Sequence, residues 1–222
     1  MSAPELQFEQ HSGPLPRPLA QAIARLHIEQ IAEGFLTSLG ERFLVHLYDA
    51  VATCDDAVLL TARDGDRLAG MICGSTDTRL VYRHFVRRKA VVAGMAALPR
   101  LLTFERFKHV WETWRYPSSS PELDLPSGEV LNFCVSRDFQ RRGVGVTLFG
   151  RLTEELHRLG LRDLKIVTGE KQESAHRFYE AVGAVLAHCT EVHRGQASRI
   201  YLYPLTHLSA QDASDTPYIP AA

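Results

Sequence analysis

The 222-residue sequence has no long hydrophobic run and no paired cysteines. Its longest apolar stretch, Ala90 to Leu98, is about half of what a membrane span requires. The few cysteines form no Cys-x-x-Cys pair and have no metal-ligand spacing to any of the ten histidines. They are Cys54, Cys73, Cys134 and Cys189. The sequence therefore predicts a chain without a metal site in a reducing compartment.

An excess of charge of one sign is also lacking, because 25 basic side chains stand against 26 acidic ones. This balance gives no reason to expect nucleic acid or an anionic membrane as a partner. The first residues carry Glu5 and Glu9 where a signal peptide needs a basic start and an apolar core. We therefore expect a cytoplasmic protein, with no nucleic-acid partner and with membrane contact disfavoured.

The first half of the chain shows helix patterns around one hairpin. A helix with Pro18 in its first turn is expected, and then a second from about Leu39 to Thr53 with Thr37 or Ser38 as its N-cap. Asp64-Gly65-Asp66 lies between two apolar runs, and this predicts a hairpin of strands near 57–63 and 67–75.

The remainder of the chain alternates between strand and helix patterns. Residues 79–115 read as helical with a break at Pro99, and 116–128 read as an irregular loop. The later elements are a strand at 129–136, a helix from about Val144 to Leu159, a strand at 163–168, a helix from about Gln172 to Val182, and a hairpin over 184–205.

This order of elements predicts the α/β class. We expect a mixed, largely antiparallel sheet flanked by helices, with one parallel crossover between residues 129 and 168. A helical insert at 79–127 would precede the central strand. We expect a single domain over residues 1–208, followed by a flexible tail at 209–222.

The most informative stretch, Gln140 to Val146 (QRRGVGV), follows a strand and opens a helix. A helix N-terminus offers unpaired main-chain N–H groups and the positive end of the helix dipole, and glycines let an anion come close. This geometry suits a phosphate. A dinucleotide fingerprint would need a third glycine where Leu148 stands, and the Gly-Lys-Ser/Thr of a P-loop occurs nowhere.

The loop resembles the Gln/Arg-x-x-Gly-x-Gly/Ala motif of the GNAT acetyltransferases through Gln140, Gly143 and Gly145. Further on, Ala175-x-x-Phe178-Tyr179-x-x-x-Gly183 is similar to the family's Asn-x-x-Ala-x-x-Phe/Leu-Tyr-x-x-x-Gly-Phe motif. Gln172 replaces the Asn of that motif and Ala184 replaces its final Phe. The resemblance is tight over 129–183, looser over 57–75, and absent over 79–127.

The resemblance implies an acetyl-CoA site without a metal. The pyrophosphate would lie on main-chain N–H groups of the loop, and the pantetheine arm would lie between the strands at 130–136 and 163–168. For Cys134, an ordinary buried strand residue is the alternative. The implied cofactor-binding residues are Phe133, Cys134, Val135, Gln140, Arg141, Arg142, Gly143, Val144, Gly145, Val146, Ala175 and Phe178.

The same resemblance implies two catalytic residues. Tyr179 stands where the family has the proton donor to the departing thiolate, although an aromatic core residue is the alternative. Glu129, eleven residues before Gln140, stands where histone-modifying members have a general base, with solvation of a strand end as the alternative. A main-chain N–H near Val135 would hold the thioester carbonyl.

The predicted insert carries a local charge of +7 over residues 79–115. In the resembled family this stretch lies beside the acceptor site, so an anionic or large acceptor is one interpretation. The alternatives are a solvated basic face with its aromatics packed on the sheet, and contact with a membrane surface.

The sequence thus predicts direct transfer of the acetyl group of acetyl-CoA to a primary amine of a small molecule or peptide. A longer acyl-CoA or a hydroxyl acceptor would suit the same loop. A non-catalytic CoA-binding or regulatory module is the alternative from another class, suggested by Gln172 and Ala184.

Overall fold

The computed structural model describes residues 6–32, 34–88, 125–193 and 196–205. The strands are β1 (Gln7–His11), β2 (Ala57–Asp64), β3 (Arg67–Ser75), β4 (Glu129–Val135), β5 (Asp163–Gly169), β6 (Val185–His193) and β7 (Gln196–Pro204). The helices are α1 (Arg17–Gln30), α2 (Phe35–Leu39), α3 (Glu41–Ala52), α4 (residues 78–88), α5 (Val144–Arg158) and α6 (Glu173–Ala181). The predicted break at Pro99, most of the predicted insert and loop, and the predicted tail lie outside the described residues.

The seven strands form one sheet in the order β1-β2-β3-β4-β5-β7-β6. Only β4 and β5 are parallel to each other, and α5 makes the crossover between them. The Asp-Gly hairpin is confirmed, with Asp64 paired to Arg67 across a turn in which Gly65 has φ +56°. The predicted mixed, largely antiparallel sheet is therefore confirmed.

Helices cover both faces of the sheet, because strand side chains alternate between two hydrophobic clusters. On β2, Leu59 points into the cluster formed with α1, α3 and α4, whereas Val58 and Leu60 point into the cluster formed with α5 and α6. Within the described residues, no helix is long and apolar enough to cross a membrane.

The predicted N-cap of the second helix was wrong. Thr37 and Ser38 lie inside the short helix α2, where the hydroxyl of Ser38 donates to the carbonyl of Phe35. The N-cap of α3 is Gly40 with φ +86°, a left-handed value that Thr and Ser rarely adopt. The tight reversal between α2 and α3 therefore places the helix start at the glycine.

The edge strand β1 was not predicted. Its five residues contain a single apolar side chain, Phe8, so they carry no alternating hydrophobic signal. Main-chain pairing with β2 forms the strand, and the Arg151 guanidinium lies 4.9 Å from the centre of the Phe8 ring.

One buried histidine stands out in the packing of α1 on α3. His27 is 1% exposed, and its Nδ1 lies 2.5 Å from the hydroxyl of Tyr48, which is fully buried. Its Nε2 has no hydrogen-bond partner among the described residues. Burial lowers the pKa of His27 from 6.5 to about 4, because the imidazolium would lose its hydration there.

This lowered pKa predicts acid sensitivity. The unfolded chain binds a proton near pH 6.5 and the folded chain only near pH 4, so stability is lost as the pH falls through that window. We expect the free energy of unfolding to drop by about 2 kcal/mol from pH 7 to pH 5 through this residue. In urea unfolding at both pH values, His27→Leu should remove that share of the decrease. The variant His157→Gln, on the surface of α5, should keep it, and an equal decrease in His27→Leu would refute the assignment.

Candidate active site

The centre of the sheet is split between β4 and β5. These strands pair only at Glu129 with Lys165 and at Val130 with Ile166. On its other side, β4 stays paired with β3 up to Val135, and β5 stays paired with β7 along its whole length. A slot therefore opens between β4 residues 131–135 and β5 residues 167–169.

A β-bulge in β4 lies where the slot begins. On β3, Cys73 pairs with Asn132 and the next residue, Gly74, pairs with Val130, so Leu131 is the extra residue. A bulge bends its strand and increases the local twist. The bend takes the second half of β4 away from β5.

The main-chain polar groups of Phe133 and Val135 point into this slot. Ser136 donates its N–H to Ala69 O on β3 at 2.9 Å, so its neighbour Val135 directs its N–H and C=O to the opposite side. The same alternation applies to Phe133. Because β5 does not pair here, the N–H and C=O of Phe133 and the N–H of Val135 are available to an extended ligand, as an added strand would use them.

The mouth of the slot is formed by the loop that starts α5. Arg141 and Gly143 have left-handed backbones, with φ +57° and +79°. The first main-chain hydrogen bond of the helix runs from Thr147 N to Gly143 O at 3.0 Å. The N–H groups of residues 144–146 thus have no acceptor in the preceding turn of the described chain, and they form an anion-binding helix end.

Gly145 brings this helix end close to the slot. A Cβ added at Gly145 would lie 3.3 Å from the ring of Phe133 and 3.4 Å from the ring of Phe178. The two rings pack on each other with centroids 5.1 Å apart. A glycine is therefore needed where the helix backbone meets the aromatic wall, which is formed by one residue of β4 and one of α6.

The other predicted loop residues have distinct positions. The side chain of Gln140 donates to Val135 O at 3.1 Å, which ties the loop to the end of β4. Arg141 and Arg142 are exposed, and the Arg142 guanidinium lies 5.3 Å from the centre of the Phe139 ring. Val144 is buried in the core and anchors the helix, whereas Val146 is 38% exposed.

Cys134 presents neither its main chain nor its side chain to the slot. It pairs with Met71 on β3, and its side chain is buried in the cluster of α1 and α3. Burial raises the pKa of its thiol to about 12, so the thiol stays protonated at neutral pH. A protonated thiol is a poor nucleophile.

Tyr179 lies on the slot side of the sheet, in α6. It is 5% exposed, and its ring packs against Phe178 and Phe149 with centroids 5.4 and 6.1 Å away. Ala175 and Phe178 of the same helix are half-buried. Burial raises the pKa of Tyr179 well above its ordinary value, so the hydroxyl remains a hydrogen-bond donor.

Glu129 lies at the closed end of the slot. Its Oε2 accepts a hydrogen bond from Thr78 Oγ1 at 2.8 Å and lies 3.5 Å from Lys165 Nζ. Lys165 also donates to Pro126 O at 3.0 Å. Loss of hydration, and after it the charge of the Glu129 carboxylate, raises the pKa of the Tyr82 hydroxyl to about 12.

Most of the described part of the predicted insert lies in α4. Its residues Tyr82 and Phe85 point inward, and the Phe85 ring meets Phe43 at 5.6 Å. Arg83 and Arg87 are exposed. Over this turn, Phe85 packs against α3 and the basic side chains of Arg83 and Arg87 face solvent.

The family model for the GNAT acetyltransferases matches residues 27–184, so the chain belongs to this family. No curated protein matches the sequence of the chain. Among solved structures, the acetyltransferase of GNAT family from Streptococcus pneumoniae superposes with a TM-score of 0.52 at 16% identity, over 90% of this chain and 99% of that one. The ribosomal-protein-S18-alanine N-acetyltransferase of Escherichia coli gives 0.54 at 13% identity, over 97% and 100%.

A third similar structure, yncA from Salmonella typhimurium, was solved with its cofactor acetyl-CoA. It superposes with a TM-score of 0.55 at 12% identity, over 94% of this chain and 98% of that one. At these identities the similarity shows the fold. The family predicted from the motif residues and the predicted fold class are both confirmed.

The structure brings together most of the predicted site residues around one slot, but it also adds partners that the sequence did not reveal. Thr78 and Lys165 bind the carboxylate of Glu129, and no local pattern marks them. His176, a buried residue of α6, was also missed. Its position in the Ala-x-x-Phe-Tyr motif, one residue after Ala175, was the only available signal.

Gly143, the N-cap of α5, and Gly150, inside α5, give a matched pair of glycine substitutions. Gly143→Ala should destabilise the unliganded protein by about 1 kcal/mol, because φ +79° is costly for alanine. Gly150→Ala should stabilise it by up to about 1 kcal/mol, because an added Cβ meets no atom within 4 Å and alanine favours the helix. Urea unfolding measures both, and equal signs would contradict the backbone assignment at the loop.

Proposed function

We propose that the chain is an N-acetyltransferase that moves the acetyl group of acetyl-CoA directly to a primary amine. The observation that carries this proposal is the slot between β4 and β5. It presents main-chain groups that β5 leaves unpaired, and the N–H groups at the start of α5 lie beside it, where Gly145 approaches the Phe133 ring. A long ligand with a phosphate at one end and amides along its arm would satisfy both.

In this proposal the pyrophosphate binds the N–H groups of residues 144–146, where the helix dipole favours negative charge. The exposed side chains of Arg141 and Arg142 add positive charge at the mouth. The pantetheine amides pair with the main chain of Phe133 and Val135. Ala175 and Phe178 cover the arm from α6.

The reacting groups then have separate tasks. An N–H of Phe133 or Val135 donates to the thioester carbonyl and stabilises the charge that develops on it. Tyr179 donates a hydrogen bond to the departing thiolate. For an ordinary tyrosine of pKa about 10 and a thiol of about 8.5, full proton transfer already costs roughly 2 kcal/mol. The raised pKa of Tyr179 increases that cost, so a hydrogen bond is the role that its burial supports.

Glu129 is the proposed acceptor of the amine proton. An ammonium of pKa about 10 is almost wholly protonated at pH 7, so a base must act before the amine can attack. Glu129 precedes Phe133 by four residues, about 13 Å along the strand. In this proposal, water therefore carries the proton from the amine, which reacts near Phe133, to the Glu129 carboxylate. Thr78 and Lys165 hold the carboxylate in place through Oε2.

The protonation state of the thiols supports direct transfer. Burial raises the pKa of Cys73 and of Cys134 to about 12, which leaves both protonated at neutral pH. An acetyl-cysteine intermediate would need a thiolate. The amine and the thioester therefore react within one ternary complex.

The test compares wild type with Tyr179→Phe. Millimolar acetyl-CoA should raise the melting temperature of both proteins by a similar amount, because the loop main chain provides most of the binding. With a panel of primary amines, thiol release should be at least about 10-fold slower in Tyr179→Phe at saturation, with acetyl-CoA affinity little changed.

Tyr203→Phe, which removes a tyrosine hydroxyl from the same side of the sheet, is the matched control and should keep its rate. Acetyl-CoA binding without thiol release from wild type would favour a non-catalytic module. Thiol release with alcohols alone would show that the acceptor is a hydroxyl group. Thiol release only with a longer acyl-CoA would show that the donor is not acetyl-CoA. No stabilisation by acetyl-CoA would overturn the proposal.

The role of Glu129 predicts a characteristic pH profile. Glu129→Gln should lower kcat/KM about 100-fold at pH 7, and the deficit should shrink towards pH 9, where more of the amine is already neutral. Glu155→Gln, which neutralises a half-buried carboxylate that pairs with Arg158 on α5, is the control and should follow wild type. Full activity of Glu129→Gln from pH 6 to pH 9 would exclude Glu129 as the base.

A further inference from the structure

A buried polar network joins α6 to the two strands beneath it. His176 of α6 is 5% exposed and Tyr201 of β7 is fully buried. Nδ1 of His176 lies 3.1 Å from the Tyr201 hydroxyl and 3.5 Å from Thr168 Oγ1 on β5. Its Nε2 lies 3.0 Å from the carbonyl oxygen of Glu170. Both ring nitrogens of this histidine therefore have partners, unlike those of His27.

The carbonyl partner fixes the direction of the hydrogen bond at Nε2. A carbonyl oxygen can only accept, so Nε2 of His176 carries a hydrogen and donates to Glu170 O. In the neutral ring, Nδ1 then accepts from a hydroxyl. The Tyr201 hydroxyl has one hydrogen, which it donates either to Nδ1 or to Glu180 Oε1, 3.2 Å away and one helical turn after His176. One buried hydroxyl thus contacts two successive turns of α6.

The network joins the end of β5 to the helix that carries Tyr179. Glu170 belongs to the turn that leads from β5 into α6, which is closed by Gln172 N donating to Gly169 O at 3.0 Å. His176 precedes Tyr179 by three residues, so their side chains share one face of the helix. The hydrogen bonds of His176 therefore fix the distance between the end of β5 and the Tyr179 hydroxyl.

We infer that His176 is a positioning residue that fixes α6, and with it the Tyr179 hydroxyl, relative to the slot. It acts through Glu170 on the turn and through Tyr201 on β7, and it does not touch the reacting atoms. A buried hydrogen-bond donor or acceptor that has no partner is costly. Removal of the His176 ring therefore favours movement of α6. The inference rests on the proposed function, in which Tyr179 meets the thiolate.

The kinetic test uses His176→Phe, which keeps a ring but loses all three polar contacts. We expect kcat to fall about 10-fold or more, because small displacements of a catalytic group are costly. The dissociation constant of acetyl-CoA should change less than about 3-fold, because the loop at 141–146 is untouched. His176→Gln, whose amide can still donate to Glu170 O, should recover part of the rate. Tyr201→Phe should share the loss, and Tyr203→Phe should not.

A double-mutant cycle identifies the route of the effect. If His176 acts through Tyr179, then His176→Phe added to Tyr179→Phe should cost less than 2- to 3-fold further. Additive losses would overturn the inference, as would an unchanged kcat in a folded His176→Phe.

Hydrogen exchange provides a readout that needs no activity. In His176→Phe and Tyr201→Phe, amides of residues 172–179 should exchange about 10-fold faster or more than in Tyr203→Phe, while amides of α3 stay unchanged. Uniformly faster exchange in both helices would indicate general destabilisation and would refute a positioning role, as would no change at 172–179. An inactive wild type would refute the proposed function alone, and the exchange data would still decide whether His176 fixes the helix.

Discussion

The separation of β4 from β5 is the constraint on which the site depends. Each strand is held firmly on its outer side, β4 by β3 and β5 by β7, so neither can move to close the gap. The extra residue in β4 ends their pairing after two residue pairs. Because buried main-chain groups must be paired, the unpaired edge needs either water or a ligand. The slot is therefore part of the sheet itself.

The anion-binding helix end is coupled to this slot through a short connection. Phe139, 2% exposed, anchors the loop below the guanidinium groups of Arg67 and Arg142, and Gln140 binds the end of β4. Gly145 then lets the helix backbone approach the ring of Phe133. A ligand that uses both parts meets a spacing that is already set before binding, which reduces the entropy cost of ordering the site.

Local signals in the sequence were sufficient for most of the fold. The Asp-Gly hairpin and the helix ends near Leu159 and Val182 were predicted because each depends on neighbouring residues, here Gly160 and Gly183 with φ +92° and +94°. The polar edge strand β1 was missed because only its pairing with β2 makes it a strand. The partners of Glu129 were missed for a related reason. Lys165 meets it across a parallel pair 36 residues away in the chain, and no spacing rule reports such contacts.

The electrostatics of the slot separate binding from chemistry. At the mouth, the helix end and two exposed arginines favour an anion, and at the closed end Glu129 and Lys165 form an ion pair. Between them, burial raises the pKa of Tyr179, so its hydroxyl is a neutral donor at pH 7. In the proposed reaction, a hydrogen bond from this neutral hydroxyl becomes stronger as the thiolate develops. The proposed direct transfer is consistent with this separation, because the acceptor itself would supply the attacking group.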